Sequence, residues 1–197
     1  MPLKANKTVK EGYIPTDKMD WINKNVINNQ ASFPWYLHPI TVEGFKTNWP
    51  CMIHQLLGRY DKYKGAEITS PYYPFFTSLI EEICKQNGIK IKRFLRGAIN
   101  CNFYHKTKHS HTHYDYDFDH LNIIIYLNKF SKGSTYLFKE TSKDKPQPYA
   151  AKKVIKEIKA DVGKYVIFPG ENYHAAGGAG KDHECRIICI YNIETQK

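Results

Sequence analysis

The chain predicts a mainly β fold, a sandwich or jelly roll with flanking helices. Three observations carry this: apolar helical spacing confined to the first half, a run of short strands after Ile89, and Gly, Pro and Asp at the strand ends. At 197 residues it suits one domain with a sizeable core. The expected division is 1–88 as helical and strand support and 89–193 as the core of a single domain spanning 1–197.

The elements follow in order. Met19, Ile22, Val26 and Ile27 fall at helical spacing and predict a helix over 17–28. Ser70-Pro71 suits a second helix opening, with Ser able to cap and Pro tolerated in the first turn. Behind it Phe75, Phe76, Leu79, Ile80 and Ile83 form an apolar stripe, and Gly88 offers a stop. Strands are expected over 91–104, 121–128, 134–138, 154–158, 165–168 and 185–191. The Pro- and Lys-rich stretch 143–148 reads as a surface loop.

Composition narrows the function classes. Five cysteines with no short-spaced pair, two of them in the apolar run of Cys185 and Cys189, read as reduced and cytoplasmic. The opening MPLKANKTVKEGY has no hydrophobic signal core, and no apolar run approaches the ~20 residues that span a bilayer. No membrane partner is expected. A net charge of +10 admits nucleic acid as a partner. That partner is not favoured, because only four of the 29 basic residues are arginines and the lysines are scattered.

The residues that carry chemistry begin at His113-Tyr114-Asp115. Two side chains at i and i+2 on an extended segment point the same way, so His113 and Asp115 can grip one metal ion. His-x-Asp alone is a weak motif. Five histidines, His105, His109, His111, His113 and His120, crowd the segment, which suits a metal site or a solvated loop. Farther on, Val166-Ile-Phe-Pro-Gly-Glu-Asn-Tyr-His174 reads as a strand running into a turn that presents His174. Two histidines and one carboxylate on one side of an iron leave open positions on the other. Arg186 opens an apolar strand, shares a face with Ile188 and Ile190, and should point inward, where a buried guanidinium needs an anion. That anion is either a protein carboxylate or a dicarboxylate ligand, and Tyr126 can add a hydroxyl to it.

Taken together, His113-Tyr-Asp-Tyr-Asp-Phe-Asp-His120, Ile123-Ile-Ile-Tyr-Leu-Asn128, Gly133-Ser-Thr-Tyr-Leu-Phe138, the His174 segment and Arg186 resemble the Fe(II)/2-oxoglutarate-dependent oxygenases. The likeness is to the prolyl-4-hydroxylase-like branch, and within it to small oxygenases encoded by phages. Spacings of 59 residues from Asp115 to His174 and 12 from His174 to Arg186 fit that family. The resemblance covers about half the chain, 96–192, with a weaker echo at Phe33-Pro-Trp-Tyr36 and Met52-Ile-His54.

It implies a double-stranded β-helix (jelly roll) in which His113, Asp115 and His174 bind Fe(II) and Arg186 grips the far carboxylate of 2-oxoglutarate. Tyr126 would assist Arg186, and Tyr104 would line the cosubstrate pocket, with Asn102 as its rival on the same strand. Where many members have Gly-Gly before the next strand, this chain has Gly133-Ser134. The implied activity is that of a dioxygenase hydroxylating a C–H bond of a peptidyl or small-molecule substrate, with O2 consumed, succinate and CO2 released, and ascorbate as a supporting reductant. Since Asp115 fills the third ligand position, hydroxylation is expected over halogenation. Two alternatives stay open: a cupin metal site built on His111, His113 and Asp117 with His174, and a basic nucleic-acid-binding or nucleobase-oxidising protein.

Overall fold

A computed structural model describes residues 9–29, 32–39, 50–147 and 149–196. Residues 1–8 of the expected signal-free start, and Pro148 of the expected surface loop, lie outside them. The elements in chain order are β1 (Lys10–Tyr13), α1 (Thr16–Ile22), β2 (Tyr36–His38), β3 (Cys51–Leu57), α2 (Tyr73–Gln86), β4 (Ile91–Phe103), β5 (Leu121–Tyr126), β6 (Thr135–Thr141), β7 (Val154–Ile158), β8 (Lys164–Pro169), β9 (Asn172–Ala176) and β10 (Cys185–Thr195). After α1 the chain continues as a wider π-helical turn over Asn23–Ile27.

Two antiparallel sheets face each other. The larger has seven strands in the order β1-β8-β5-β10-β4-β3-β2, and the smaller has three in the order β7-β6-β9. This is the jelly roll. Its non-sequential order explains why β10 is apolar over 187–191: it lies between β5 and β4 and is covered on both faces. Ile187, Cys189, Tyr191 and Ile193 face the helices, packing with Ile99, Ile123, Ile125 and the helical residues Ile22, Val26, Phe76, Leu79, Ile80 and Ile83. Ile188 and Ile190 face the smaller sheet with Ala98, Ile124, Tyr126, Leu137, Val166 and Phe168. Each fully buried Ile or Leu contributes roughly 1.5–3 kcal/mol of transfer free energy, so both faces are strongly held.

The Phe-rich stripe of α2 is core as its spacing predicts, and Trp21 of α1 stacks on Phe75 with ring centroids 3.7 Å apart. Gly88 stops α2: its φ is +67°, and the Ile89 amide donates to Cys84 O at 2.8 Å, a bond that closes the helix end. The helix start differs from expectation. It begins at Tyr73, two residues after Pro71, and Ser70 does not cap it. The Ser70 hydroxyl instead accepts from the Tyr72 amide at 3.1 Å and bonds His54 Nε2 at 2.7 Å. The strands expected over 91–104, 121–128, 134–138, 154–158, 165–168 and 185–191 are present as β4, β5, β6, β7, β8 and β10, most within two residues at each end and β6 and β10 running three to four residues further. Asn172–Ala176, read from sequence as a turn, is strand β9. β1, β2 and β3 join the same large sheet, β1 pairing with β8, β2 with β3 and β3 with β4.

Candidate metal centre

The centre forms where an extended segment meets β9. The His113 amide donates to His174 O at 3.0 Å and the His174 amide to His113 O at 2.8 Å, so the two residues are directly paired across an antiparallel bridge. Directly paired residues put their side chains on one face, and the two rings lie with centroids 4.4 Å apart. Thr112, one residue earlier, points the other way, accepting from the Ala151 amide and donating to Tyr149 O. That alternation sends His113 and then Asp115 inward. One ligand atom from each of His113, Asp115 and His174 lies within 4.8 Å of the others, and His174 Nε2 is 3.6 Å from Asp115 Oδ2.

Hydrogen bonds fix the tautomers. His113 Nδ1 donates to His111 O and His174 Nδ1 donates to Asn172 O, both at 3.2 Å, which leaves each Nε2 lone pair free for a metal. Burial, reinforced by the neighbouring His113, lowers His174 to about 4, and burial lowers His113. Both imidazoles are therefore neutral near pH 7. Asp115, with its side chain only 3% exposed, meets the opposite balance. Burial works to raise its pKa, but the positive charge of His174 and His113 at the acid pH where they are protonated, together with Arg96, outweighs it and holds the carboxyl well below the usual range. A buried anionic donor beside two neutral nitrogen donors is a fit for a divalent cation of the iron or zinc type.

Asp115 is itself held. Asn122 and Asn192 each donate Nδ2 to its Oδ2 at 3.0 Å, and Asn192 also donates to Asn122 Oδ1 at 2.7 Å. Arg59 donates to its backbone carbonyl at 2.7 Å, and Arg96 approaches its Oδ1 at 3.7 Å. None of these four was found from sequence. A signal existed for two: Asn122 and Asn192 are lone amides within apolar runs, and both are fully buried.

Arg186 is fully buried on the inner face of β10, as its alternation with Ile188 and Ile190 predicts. Its Nε donates to Gly133 O at 2.8 Å and one terminal nitrogen to Thr135 Oγ1 at 2.9 Å, while the other is buried without a hydrogen-bond partner among the described residues. Among the described residues no carboxylate forms an ion pair with it. The protein-carboxylate option left open by the sequence is thus not taken there. Tyr126 lies beneath the guanidinium, 5.4 Å from its ring centroid, and its hydroxyl bonds Thr135 Oγ1 at 2.7 Å. Phe168 connects the two halves: its ring packs 5.3 Å from His174, and it shares an apolar cluster with Tyr126.

The other candidates divide. Tyr104 follows β4, is 40% exposed, and its hydroxyl makes no hydrogen bond among the described residues. Asn102 is buried and stands directly opposite Arg186 in the β10–β4 register. His111 contributes its backbone carbonyl to His113, and neither His111 nor Asp117 belongs to the metal-holding group among the described residues.

No family model matches the chain, and no curated protein matches it. Solved structures do. A 2OG-Fe(II) oxygenase family oxidoreductase from Burkholderia pseudomallei superposes with TM-score 0.60 at 12% identity, over 91% of this chain and 90% of that one. A Pseudomonas putida prolyl-4-hydroxylase gives 0.55 at 16%, over 98% and 95%. A Trichoplax adhaerens prolyl hydroxylase, solved with a hypoxia inducible factor oxygen degradation domain peptide fragment, gives 0.59 at 13%, over 95% and 84%. At these identities the likeness establishes the fold: the chain has the jelly roll found in 2OG-Fe(II) oxygenases, prolyl hydroxylases among them.

Proposed function

We propose that the protein is an Fe(II)- and 2-oxoglutarate-dependent dioxygenase that hydroxylates a C–H bond of a peptidyl or small-molecule substrate. The observation that carries this reading is the buried, carboxylate-free guanidinium of Arg186 in the same interior as the His113, Asp115 and His174 group. A metal alone explains the triad, and an anionic co-ligand also explains a fully buried guanidinium with no carboxylate partner among the described residues.

His113, Asp115 and His174 would hold the iron, and Arg186 would hold the distal carboxylate of 2-oxoglutarate. Bound there, the pair would supply oxidative decarboxylation with O2, one oxygen atom entering succinate as CO2 leaves and the other a substrate C–H bond. The chain's own part is positioning. The β-bridge between His113 and His174 fixes the spacing of the two nitrogen donors, and the two asparagines fix the carboxylate rotamer. Thr135 and Gly133 aim the free edge of Arg186, while Tyr126, Phe168 and Ile188 exclude water around it. With Asp115 as third ligand, hydroxylation is favoured over halide transfer. Among the described residues no helix is long and apolar enough to cross a membrane.

The test is turnover of the purified chain with Fe(II), ascorbate, O2 and 2-oxoglutarate. Slow succinate release without added substrate is expected, abolished in Asp115→Ala. Absence of 2-oxoglutarate binding by calorimetry in the metal-loaded protein would end this proposal.

A further inference from the structure

The iron and 2-oxoglutarate reading uses two arginines, Arg59 and Arg96, only as neighbours of Asp115. Arg96 lies on the inner face of β4, opposite Asn192 in register. One of its terminal nitrogens is 3.7 Å from Asp115 Oδ1, beyond hydrogen-bond distance. Among the described residues the Arg96 guanidinium makes no hydrogen bond at all. Its side chain is 23% exposed, against 3% for that of Asp115 beside it. Arg59 reaches the same aspartate from the turn after β3, donating to its backbone carbonyl at 2.7 Å with the guanidinium 4.8 Å over the Tyr116 ring.

The bland account is that Arg96 neutralises Asp115. Two observations weigh against it. Asp115 Oδ2 already accepts hydrogen bonds from Asn122 and Asn192, and a divalent cation on the carboxylate would oppose a guanidinium whose only task was neutralisation. Charge balance gives the same answer. A divalent iron and Arg186 are cancelled by Asp115 and the two carboxylates of 2-oxoglutarate, so Arg59 and Arg96 stand as surplus positive charge. The acids nearby do not absorb it: Asp119 is exposed and bonded to Lys143, and Asp117 forms no ion pair with either arginine among the described residues. Residue choice is also informative. The chain has four arginines against 25 lysines, and two of the four converge on this one aspartate. A planar fork is the side chain suited to carboxylate or phosphate oxygens.

We propose that Arg96, supported by Arg59, binds an oxyanion carried by the substrate, a carboxylate or a phosphate, and so holds the neighbouring C–H bond over the metal. This rests on the iron and 2-oxoglutarate reading and narrows its substrate class to acidic compounds or acidic peptides.

The experiment uses the full chain loaded with Zn(II) and saturated with 2-oxoglutarate, titrated by calorimetry at low ionic strength with inorganic phosphate and, separately, acetate. At least one should bind. Tighter phosphate points to a phosphorylated substrate, and tighter acetate to a carboxylate. Arg96→Gln should weaken the bound anion by about ten-fold or more, and Arg96→Lys by less, since it keeps the charge but not the fork. The Arg96→Gln affinity for 2-oxoglutarate, measured first, should stay within about three-fold of wild type, as Arg186 holds that ligand. If Arg96→Gln does not fold, the exposed Arg59→Gln serves, with about three-fold or more weakening expected. Binding of 2-oxoglutarate with neither anion binding, or an anion held equally by wild type and variants, overturns the subsite alone. Failure of 2-oxoglutarate to bind wild type overturns both readings.

Discussion

Arg186→Met separates a ligand clamp from a structural arginine, because the two roles predict opposite signs. In the ligand-free protein Arg186 makes two hydrogen bonds, to Gly133 O and Thr135 Oγ1, and leaves one nitrogen buried without a partner. Methionine of similar reach strands the Gly133 carbonyl, at about 1–3 kcal/mol. Thr135 keeps its bond to the Tyr126 hydroxyl. Against that, a buried charge with no counter-ion is removed, which is worth roughly the same amount or more. The ligand-free variant should therefore unfold within about 4 °C of wild type, or above it. For 2-oxoglutarate the change is one-sided: two charge-assisted bonds at roughly 1.5–3 kcal/mol each correspond to about 100-fold to 10,000-fold weaker binding. Calorimetry on the Zn(II)-loaded protein measures the affinity, and thermal scans with and without 2-oxoglutarate show whether the ligand-induced stabilisation is lost. A ligand-free variant destabilised by more than about 3 kcal/mol, with its 2-oxoglutarate affinity intact, would mean that Arg186 is a structural residue and that the reasoning from its unpartnered nitrogen is wrong.

Asn192→Leu should lower metal affinity about 10-fold to 100-fold by freeing the Asp115 carboxylate, measured by competition with a chelator; unchanged affinity would reduce the asparagine pair to core packing. Asp115→Ala should lose the metal while His111→Ala largely keeps it, and the reverse order would restore the cupin reading. His54 carries a pH prediction for stability. Burial lowers its pKa below 6.5, although its hydrogen bond to Pro34 O partly offsets this. The folded state thus prefers the neutral ring, and its contribution is present above the unfolded value and declines as the unfolded chain takes up the proton below it. Denaturant titrations should show the stability advantage of wild type over His54→Gln narrowing as pH falls below about 6.5, and an advantage that grew instead would contradict the neutral ring.

The fold was legible where one residue type dominates a face. The strands of β5, β8 and β10 read as apolar runs because they are buried on both sides, and α2 reads from its phenylalanine stripe. β1 to β3 did not read, because their place depends on pairing: β1 on β8, and β3 with β2 on β4. β9 was hidden by the Pro-Gly turn before it, and its strand character comes from pairing with β6. Pairing is a tertiary property, invisible to local periodicity.

The site divides along the same line. His113, Asp115, His174 and Arg186 stood out because each is a polar group set where the local pattern demands an explanation. The residues around Asp115 come from four separate places: Arg59 after β3, Arg96 on β4, Asn122 on β5 and Asn192 on β10. Three of those strands are neighbours, and the register sets Asn192 beside both Asn122 and Arg96. That row exists only once the sheet closes, so its chemistry could not be read from spacing along the chain. Amides on Oδ2 and a guanidinium near Oδ1 make the two oxygens of Asp115 inequivalent. If Arg96 holds a substrate oxyanion as proposed, substrate choice becomes an electrostatic property of the β4–β10–β5 row, which the metal-holding residues alone would not determine.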